Sequence, residues 1–383
     1  MAVPFRVGVL QLSMEPIQET LRMATACEAA GFDTFWLAEA YPWWRKHSME
    51  ARSSTALTAL IAKETQRIGV GWGIISPYTR HPIQIAMEAR VMQDLCGKGR
   101  FLLGLGASKI FMREIGEGEY GSAPALEGGA EKNAGVAEVG AEKGTGSAVP
   151  SPAIVMRESL EIIRGMLSGE PFEFTGKAFS ASVPGLRRDA HASREPVPMY
   201  IGATGPVLQR MAGSHADGLL TASITTPAFV RYSRQFMEEG ARKAGKDPAS
   251  LDLGSVIVGS ISRDKSHAKD GAREMAAMYL ANKVQNIRGS ADMLLQKAGL
   301  TLDKIQPIAA AMETGGRQAA ARAVSDEVLA KVCPIAGTPD ECIGRLEEYR
   351  QAGCTHILLE LWGEKREEQA WLFGDAVLPH FRR

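Results

Sequence analysis

The chain has 383 residues, 45% of them hydrophobic, with 44 basic side chains balanced by 44 acidic ones. That length and apolar content allow a large core, and an α/β barrel commonly uses such a length as one domain. The charge balance argues against nucleic acid or a membrane surface as a partner, no apolar run reaches the length of a membrane span, and the opening Met-Ala-Val-Pro-Phe-Arg does not read as a signal peptide.

Short apolar runs alternate with helical patterns along the chain. Phe5–Leu10 reads as a strand and Ile17–Ala30 as a helix that Gly31 ends. Thr34–Ala38 is the second strand, Thr55–Thr65 a helix, Ile68–Ile75 the third strand, His81–Leu95 a helix closed by Gly97, and Phe101–Gly106 the fourth strand. The order resumes with a helix over Pro152–Leu167 and a hairpin over Phe172–Ser182. Val197–Ile201, Gly218–Thr221 and Leu253–Ile261 are strands, separated by helices over Pro206–Ala216 and Pro227–Ala244. Last come a helix over Pro339–Gln351 and a strand over His356–Glu360. Thr338, Pro339 and Glu341 form a capping box at that helix start. Eight strands with helices between them argue for a closed parallel barrel of the (β/α)8 TIM type, in one domain over residues 1–383. An open doubly wound sheet would want a phosphate-binding glycine fingerprint after the first strand, and Gly8-Val-Leu-Gln-Leu-Ser13 is not one.

Two stretches interrupt the rhythm. Residues 114–150, after the fourth strand, are rich in Gly, Ala and Glu and read as a flexible surface insertion or a lid. Residues 268–330, after the seventh strand, read as a helical insertion. The five cysteines (Cys27, Cys96, Cys333, Cys342 and Cys354) are odd in number and lack metal-ligand spacing, which predicts free thiols in a reducing cytoplasm.

In a barrel of this kind the working face lies where strands end and the following loops begin. The strand ends collected there hold one carboxylate, Glu39, and no serine–histidine–acid set or metal cluster. A site poor in acids and bases points to an organic cofactor that brings the chemistry. Gly71 to Pro82 ends a strand with Gly71 and Gly73 removing side chains, as if a planar ligand lay against main chain. A glycine-rich turn is the plain alternative. Gly202-Ala203-Thr204-Gly205-Pro206 leads from a strand into a helix whose free N–H groups suit an anionic group, a weak signal in any α/β protein. Trp43 and Trp44, with Trp72, could wall a flat heterocycle or cover the substrate, or could be packing. His81 reads as a helix-terminus residue, Arg100 as the partner of a carboxylate below the mouth, and Arg187-Arg188 as a solvated pair.

Taken together these tracts resemble the bacterial luciferase-like superfamily of flavin- and deazaflavin-dependent oxidoreductases. The resemblance runs through Ala29 to Glu39, Tyr78-Thr-Arg-His-Pro82, Gly97 to Gly106, Val197 to Pro206 with Ala216-Asp-Gly218, and Ala336-Gly-Thr-Pro-Asp340. Ser76 to Pro82, and the Gly-Pro before the fifth helix, look most like the branch that includes the F420-dependent methylenetetrahydromethanopterin reductase. The resemblance implies coenzyme F420 at the barrel mouth and hydride transfer to a small organic or pterin-like substrate. It implies a cis peptide at Gly73–Ile74 against the ring's back face, with Ala107 and Ser108 along the pyrimidine side. It further implies that Gly202, Ala203, Thr204, Gly205, Pro206 and Val207 hold the phosphate or adjoining chain, that Glu39 is a catalytic residue whose backbone or carboxylate contacts the ring's polar edge, and that the chain forms a homodimer or higher homo-oligomer. Sugar-phosphate dehydrogenases of this branch have a histidine after that acid, where this chain has Ala40, which argues against glucose-6-phosphate. The reductases have an acid at the end of the first strand, here Leu10 and Gln11, and one after the fourth, here Ser108-Lys109. The alternatives are an FMN-dependent monooxygenase fed by a separate flavin reductase, with Arg80 or Lys109 gripping the phosphate, and a flavin-binding barrel without turnover.

Overall fold

The computed structural model describes residues 3–40, 50–97, 99–107, 150–185, 195–222, 224–285 and 290–382. Its strands are β1 Arg6–Leu12, β2 Thr34–Ala38, β3 Gly69–Ile75, β4 Phe101–Gly106, β5 Phe172–Thr175, β6 Ser180–Val183, β7 Met199–Gly202, β8 Gly218–Thr221, β9 Asp252–Ile261, β10 Ile335–Gly337 and β11 His356–Leu361. Eight of them pair in parallel in the order β1-β2-β3-β4-β7-β8-β9-β11, and β11 returns to β1 to close the barrel. The eight are the strands expected from the sequence. β5 and β6 form the separate antiparallel hairpin, also expected. β10 was not: it pairs with Gly259–Ile261, at the far end of β9.

The helices are α1 Ile17–Ala30, α2 Ser54–Glu64, α3 Pro82–Cys96, α4 Pro152–Ser168, α5 Pro206–His215, α6 Pro227–Lys243, α7 Lys265–Gln285, α8 Ser290–Lys297, α9 Leu302–Ala323, α10 Asp326–Val332, α11 Pro339–Gln351, α12 Arg366–Ala376 and α13 Leu378–Phe381. Their starts are written locally. Proline occupies the first turn of α3, α4, α5, α6 and α11, where the missing N–H costs nothing. In the capping box of α11 the Thr338 N–H donates to Glu341 Oε2 at 3.0 Å. α7 to α10 fill the stretch between β9 and β10 and share an apolar cluster that includes Met275, Leu280, Ile305 and Ile308. The sequence reading had stopped at β11; α12 and α13 lie beyond it.

Strand alternation sorts the core into two layers. Outward residues such as Phe35, Leu37, Trp72, Leu103, Ile201, Leu219 and Leu359 pack against the helices. Inward residues Leu10, Trp36, Leu102, Tyr200, Leu220, Val256 and Leu358 fill the barrel itself. The large inward side chains need bare backbone opposite them. A Cβ on Gly71 would lie 2.4 Å from the Trp36 ring, and one on Gly218 2.4 Å from the Tyr200 ring.

Below this layer, where the strands begin, a polar cluster plugs the barrel. Arg6 pairs with Asp252, whose Oδ2 also accepts from the Tyr200 hydroxyl at 2.9 Å. His356 spans the floor, with Nδ1 3.3 Å from Asp252 Oδ2 and Nε2 2.7 Å from Thr34 Oγ1. The Trp36 indole N–H donates to that same Thr34 hydroxyl at 3.0 Å. Burial opposes the charge on Asp252, but the His356 hydrogen bond and the Arg6 charge hold its carboxyl well below the usual carboxylate range. Burial, together with Arg6, pulls the His356 imidazole below its ordinary value against the attraction of Asp252.

Both shifts are downward, so the unfolded chain binds more protons and stability rises with pH. The His356 contribution is lost first, as pH falls through the unfolded-state value of about 6.5, and that of Asp252 follows below about 3.9. We expect the advantage in thermal midpoint of the parent over His356→Gln to shrink as pH falls from 7 to 5, because the His356 contribution is lost in that window. Scanning calorimetry across that range checks this, and parallel curves for the two proteins would remove His356 from the account.

Candidate active site

The barrel mouth is assembled from the ends of β2, β3, β4 and β7. Ala38, Glu39, Gly73, Ile74, Ala107, Gly202, Ala203 and Thr204 are all half-buried there, a floor of mainly small residues and accessible main chain. The Gly73–Ile74 peptide is cis, as the resemblance implied, and the register between β3 and β4 shifts between Trp72 and Ile75. Ile74 therefore stands out of the strand. Its side chain crosses toward β4 and β7, so that a Cβ on Gly106 would come within 2.7 Å of it and one on Gly202 within 2.8 Å.

This explains two glycines. Gly106 and Gly202 are bare because Ile74 occupies the space their side chains would take. Gly205 differs: a Cβ there meets nothing within 4 Å. It is the N-cap of α5, whose first residue is Pro206, and Val207 beside it is exposed. Ala203 N–H is tied to the Leu220 carbonyl at 3.0 Å, and the Thr204 carbonyl accepts from Gln209 Nε2 at 3.2 Å. The loop from Gly202 to Pro206 is thus anchored on both sides, with its open edge at Gly205. At Gly73 a Cβ would point at Leu10 and Trp36, 3.1 Å from each, so only its main chain is available to the mouth.

Glu39 is held rather than free. Its Oε1 pairs with Arg80 Nη1 across the β2 and β3 ends, and Arg80 Nε also lies 3.8 Å from Glu88 Oε2. The second oxygen, Glu39 Oε2, is buried without a hydrogen-bond partner among the described residues. Arg80, weighed from sequence as a phosphate grip, is thus already engaged by two carboxylates. His81 caps α3, its Nδ1 accepting from Ile83 N at 3.2 Å, as expected of a helix-terminus residue. Arg100 does not meet the carboxylate expected for it among the described residues. It donates to the Ile68 carbonyl at 3.1 Å and the Thr65 hydroxyl at 2.9 Å. Trp72 faces the helices and packs edge-on against Phe101 at 4.7 Å, so it walls no ligand. Trp43, Trp44, Ser108, Lys109, Arg187, Arg188 and residues 114–149 lie outside the described residues.

Sequence reasoning missed one carboxylate at the mouth. Glu360, the fifth residue of β11, points inward beside Leu10 and is 2% exposed. The signal was present: in His356-Ile-Leu-Leu-Glu-Leu361, strand alternation puts Glu360 on the same inner face as His356 and Leu358. The cysteines are free. Burial pushes the Cys96 thiol up to about 11 and those of Cys342 and Cys354 up to about 12, which removes them as nucleophiles at neutral pH.

The geometry defines a class first: a parallel α/β barrel whose third strand is broken at the mouth to present main chain. Residues 1–356 match the model of the luciferase-like monooxygenase family, and the chain belongs to that family. It is 28% identical to a 5,10-methylenetetrahydromethanopterin reductase of Methanopyrus kandleri over 98% of both chains. It is 26% identical to an F420-dependent glucose-6-phosphate dehydrogenase of Nakamurella multipartita, over 95% of this chain and 92% of the relative. The solved coenzyme F420-dependent tetrahydromethanopterin reductase of M. kandleri superposes with a TM-score of 0.80 at 25% identity, covering 99% of this chain and 100% of the other.

The Ile74 contact has a direct test. Gly202→Ala should destabilise the fold because its methyl meets the Ile74 side chain, and Ile74→Ala should cost about 2 kcal/mol at this half-buried position. Combined, the two should cost less than their sum, and a double-mutant cycle by denaturant unfolding reads the coupling. Additive losses would show that Ile74 does not occupy the Gly202 space.

Proposed function

We propose that the mouth binds coenzyme F420, and that the protein transfers a hydride between it and a small organic or pterin-like substrate; relatives are named 5,10-methylenetetrahydromethanopterin reductase, and the solved neighbour is a coenzyme F420-dependent tetrahydromethanopterin reductase. The observation that carries this is the floor of small, half-buried residues around Ile74, continuous with the open edge at Gly205. A flat ring fits against Gly73–Ile74 and Ala107. Gly205, Pro206 and Val207, at the positive end of α5, suit an anionic side chain. The bound deazaflavin supplies two-electron hydride chemistry; the chain supplies a rigid support and a mouth with few competing acids or bases. Glu39, fixed by Arg80, offers a carboxylate oxygen to the polar edge of the ring; Ser108 lines the ring by resemblance, and Trp43 and Trp44, by their residue type and place after β2, wall the substrate.

An FMN monooxygenase is the competing reading, and the engagement of Arg80 by Glu39 and Glu88 counts against the grip it would need. Free thiols fit a reducing cytoplasm, and no helix among the described residues is long and apolar enough to cross a membrane. We also propose a homodimer. Met87, Val91 and Leu95 recur every fourth residue along α3 and are exposed, with Leu60 exposed on the neighbouring α2, a stripe that a second copy could cover.

Fluorescence titration of the purified chain should show quenching by oxidised F420 and little response to FMN; tight FMN binding with oxygen uptake would overturn the reading. Gly205→Asp, which puts a negative charge where the anionic chain would lie, should weaken F420 binding by about tenfold or more while leaving the thermal midpoint unchanged. Met87→Glu with Val91→Glu should halve the mass measured by light scattering, and an unchanged mass would exclude that face.

A further inference from the structure

The end of β11 carries a carboxyl group that the proposed cofactor contacts leave unused. β1 and β11 run in register from Arg6 opposite His356 to Val9 opposite Leu359, so Glu360 comes level with Leu10. The Leu10 side chain, with that of Trp36, lies against Gly73, which places Glu360 on the same inner rim as the irregularity in β3. The Tyr279 hydroxyl of α7 donates to Glu360 Oε2, while Oε1 is buried without a well-formed hydrogen bond among the described residues. A cavity of about 150 Å3 opens at this point, lined by Leu10, Gln11 and Glu360 together with Trp362 and Arg317. A buried carboxyl with one oxygen unmet is costly as an anion and has a free position for an exchanging proton.

We propose that Glu360 is the proton-exchanging catalytic residue of this mouth, with Tyr279 as its positioning residue. The substrate it implies has a hydride-accepting carbon bonded to a nitrogen or oxygen that must take up a proton. This inference rests on the F420 reading. In the reducing direction the hydride adds to that carbon, and its bond to the heteroatom gives up an electron pair. The Glu360 O–H breaks, the proton goes to the heteroatom, and the O–H pair stays on the carboxylate. Oxidation of a reduced deazaflavin releases one hydride and one proton, so the second restores the carboxyl and the sum closes without a further reductant.

The surrounding groups allow this. Glu15 is engaged by Arg366 at 2.8 Å, Arg317 lies 3.9 Å from Glu274, and Lys283 is one turn beyond Tyr279 on α7. Burial pushes the Glu360 carboxyl up to about 7, against the pull of the Tyr279 hydroxyl and the Trp362 side chain. Both its forms are therefore present near neutral pH, the condition under which a general acid–base residue works best.

Infrared titration of the purified full-length chain, without cofactor, tests the carboxyl directly. The parent should show a protonated-carboxyl stretch that disappears with a midpoint near 7 and that is missing in Glu360→Gln. Tyr279→Phe should shift that band and raise its midpoint, since the lost hydroxyl stabilised the anion, and the pH profile of turnover should move with it; a carboxyl that merely ties α7 to the barrel would titrate without moving that profile. With F420 and methylenetetrahydromethanopterin as probes, Glu360→Gln should bind F420 as the parent does and lose at least about 100-fold in turnover. A parent without the titrating band, or a Glu360→Gln variant with unchanged turnover, would overturn the proposal. A parent that fails to bind F420 would instead remove the functional reading, and the infrared result would then alone decide the state of Glu360.

Discussion

The barrel depends on a steric exchange between bare strands and large inward side chains. Trp36 lies across β3 only because Gly71 has no Cβ, and Tyr200 lies beside β8 only because Gly218 has none. The interior is filled in this way, so no ligand can enter it and anything bound must stay at the mouth. Ile74 applies the same rule one level higher. By covering Gly106 and Gly202 it seals the top of the packed interior, and under the proposed function it is the surface on which the cofactor would rest.

The two ends of the barrel treat charge differently. At the strand starts, Arg6, Asp252, His356, Thr34 and Tyr200 form a connected cluster in which Asp252 has three side-chain partners on its Oδ2 alone. Such an arrangement holds strands together and leaves little for chemistry. In the floor cluster the unmet atom is a donor, Arg6 Nε; at the strand ends Glu39 and Glu360 each keep one buried oxygen, an acceptor, without a partner among the described residues. The two carboxylates are nonetheless unlike each other. Glu39 is paired with the Arg80 guanidinium, whereas Glu360 meets the Tyr279 phenol and its burial favours the acid form.

The barrel was readable because its strands are short, nearly continuous apolar runs separated by helices with strong proline and capping signals, and each such signal is local. β10 escaped because Ile335-Ala-Gly337 is too short to show a period, and α12 because Arg366–Ala376 mixes charge and apolar residues without a clear stripe. The mouth was readable as backbone, through Gly73, Gly202 and Gly205, but not as side-chain chemistry. Arg80 stands 41 residues from Glu39, and Tyr279 stands 81 from Glu360. Nothing in the intervening sequence couples them; only barrel closure brings them together. Arg100 shows the converse error, a charge assumed to need an opposite charge when a carbonyl and a hydroxyl sufficed.

The tenth strand has a consequence for how such a chain can change. β9 is ten residues long, and β8 and β11 use only its residues up to Gly259, while β10 takes the remainder from Gly259 to Ile261. The polypeptide therefore departs after Ile261 and comes home at Ile335, which lies opposite Gly259 at one ladder spacing, about 4.8 Å. Whatever lies in between is a cassette clipped to a fixed pair of terminals. It can be lengthened, shortened or exchanged without asking the eight staves beneath to move, so new specificity could be grafted onto an old frame.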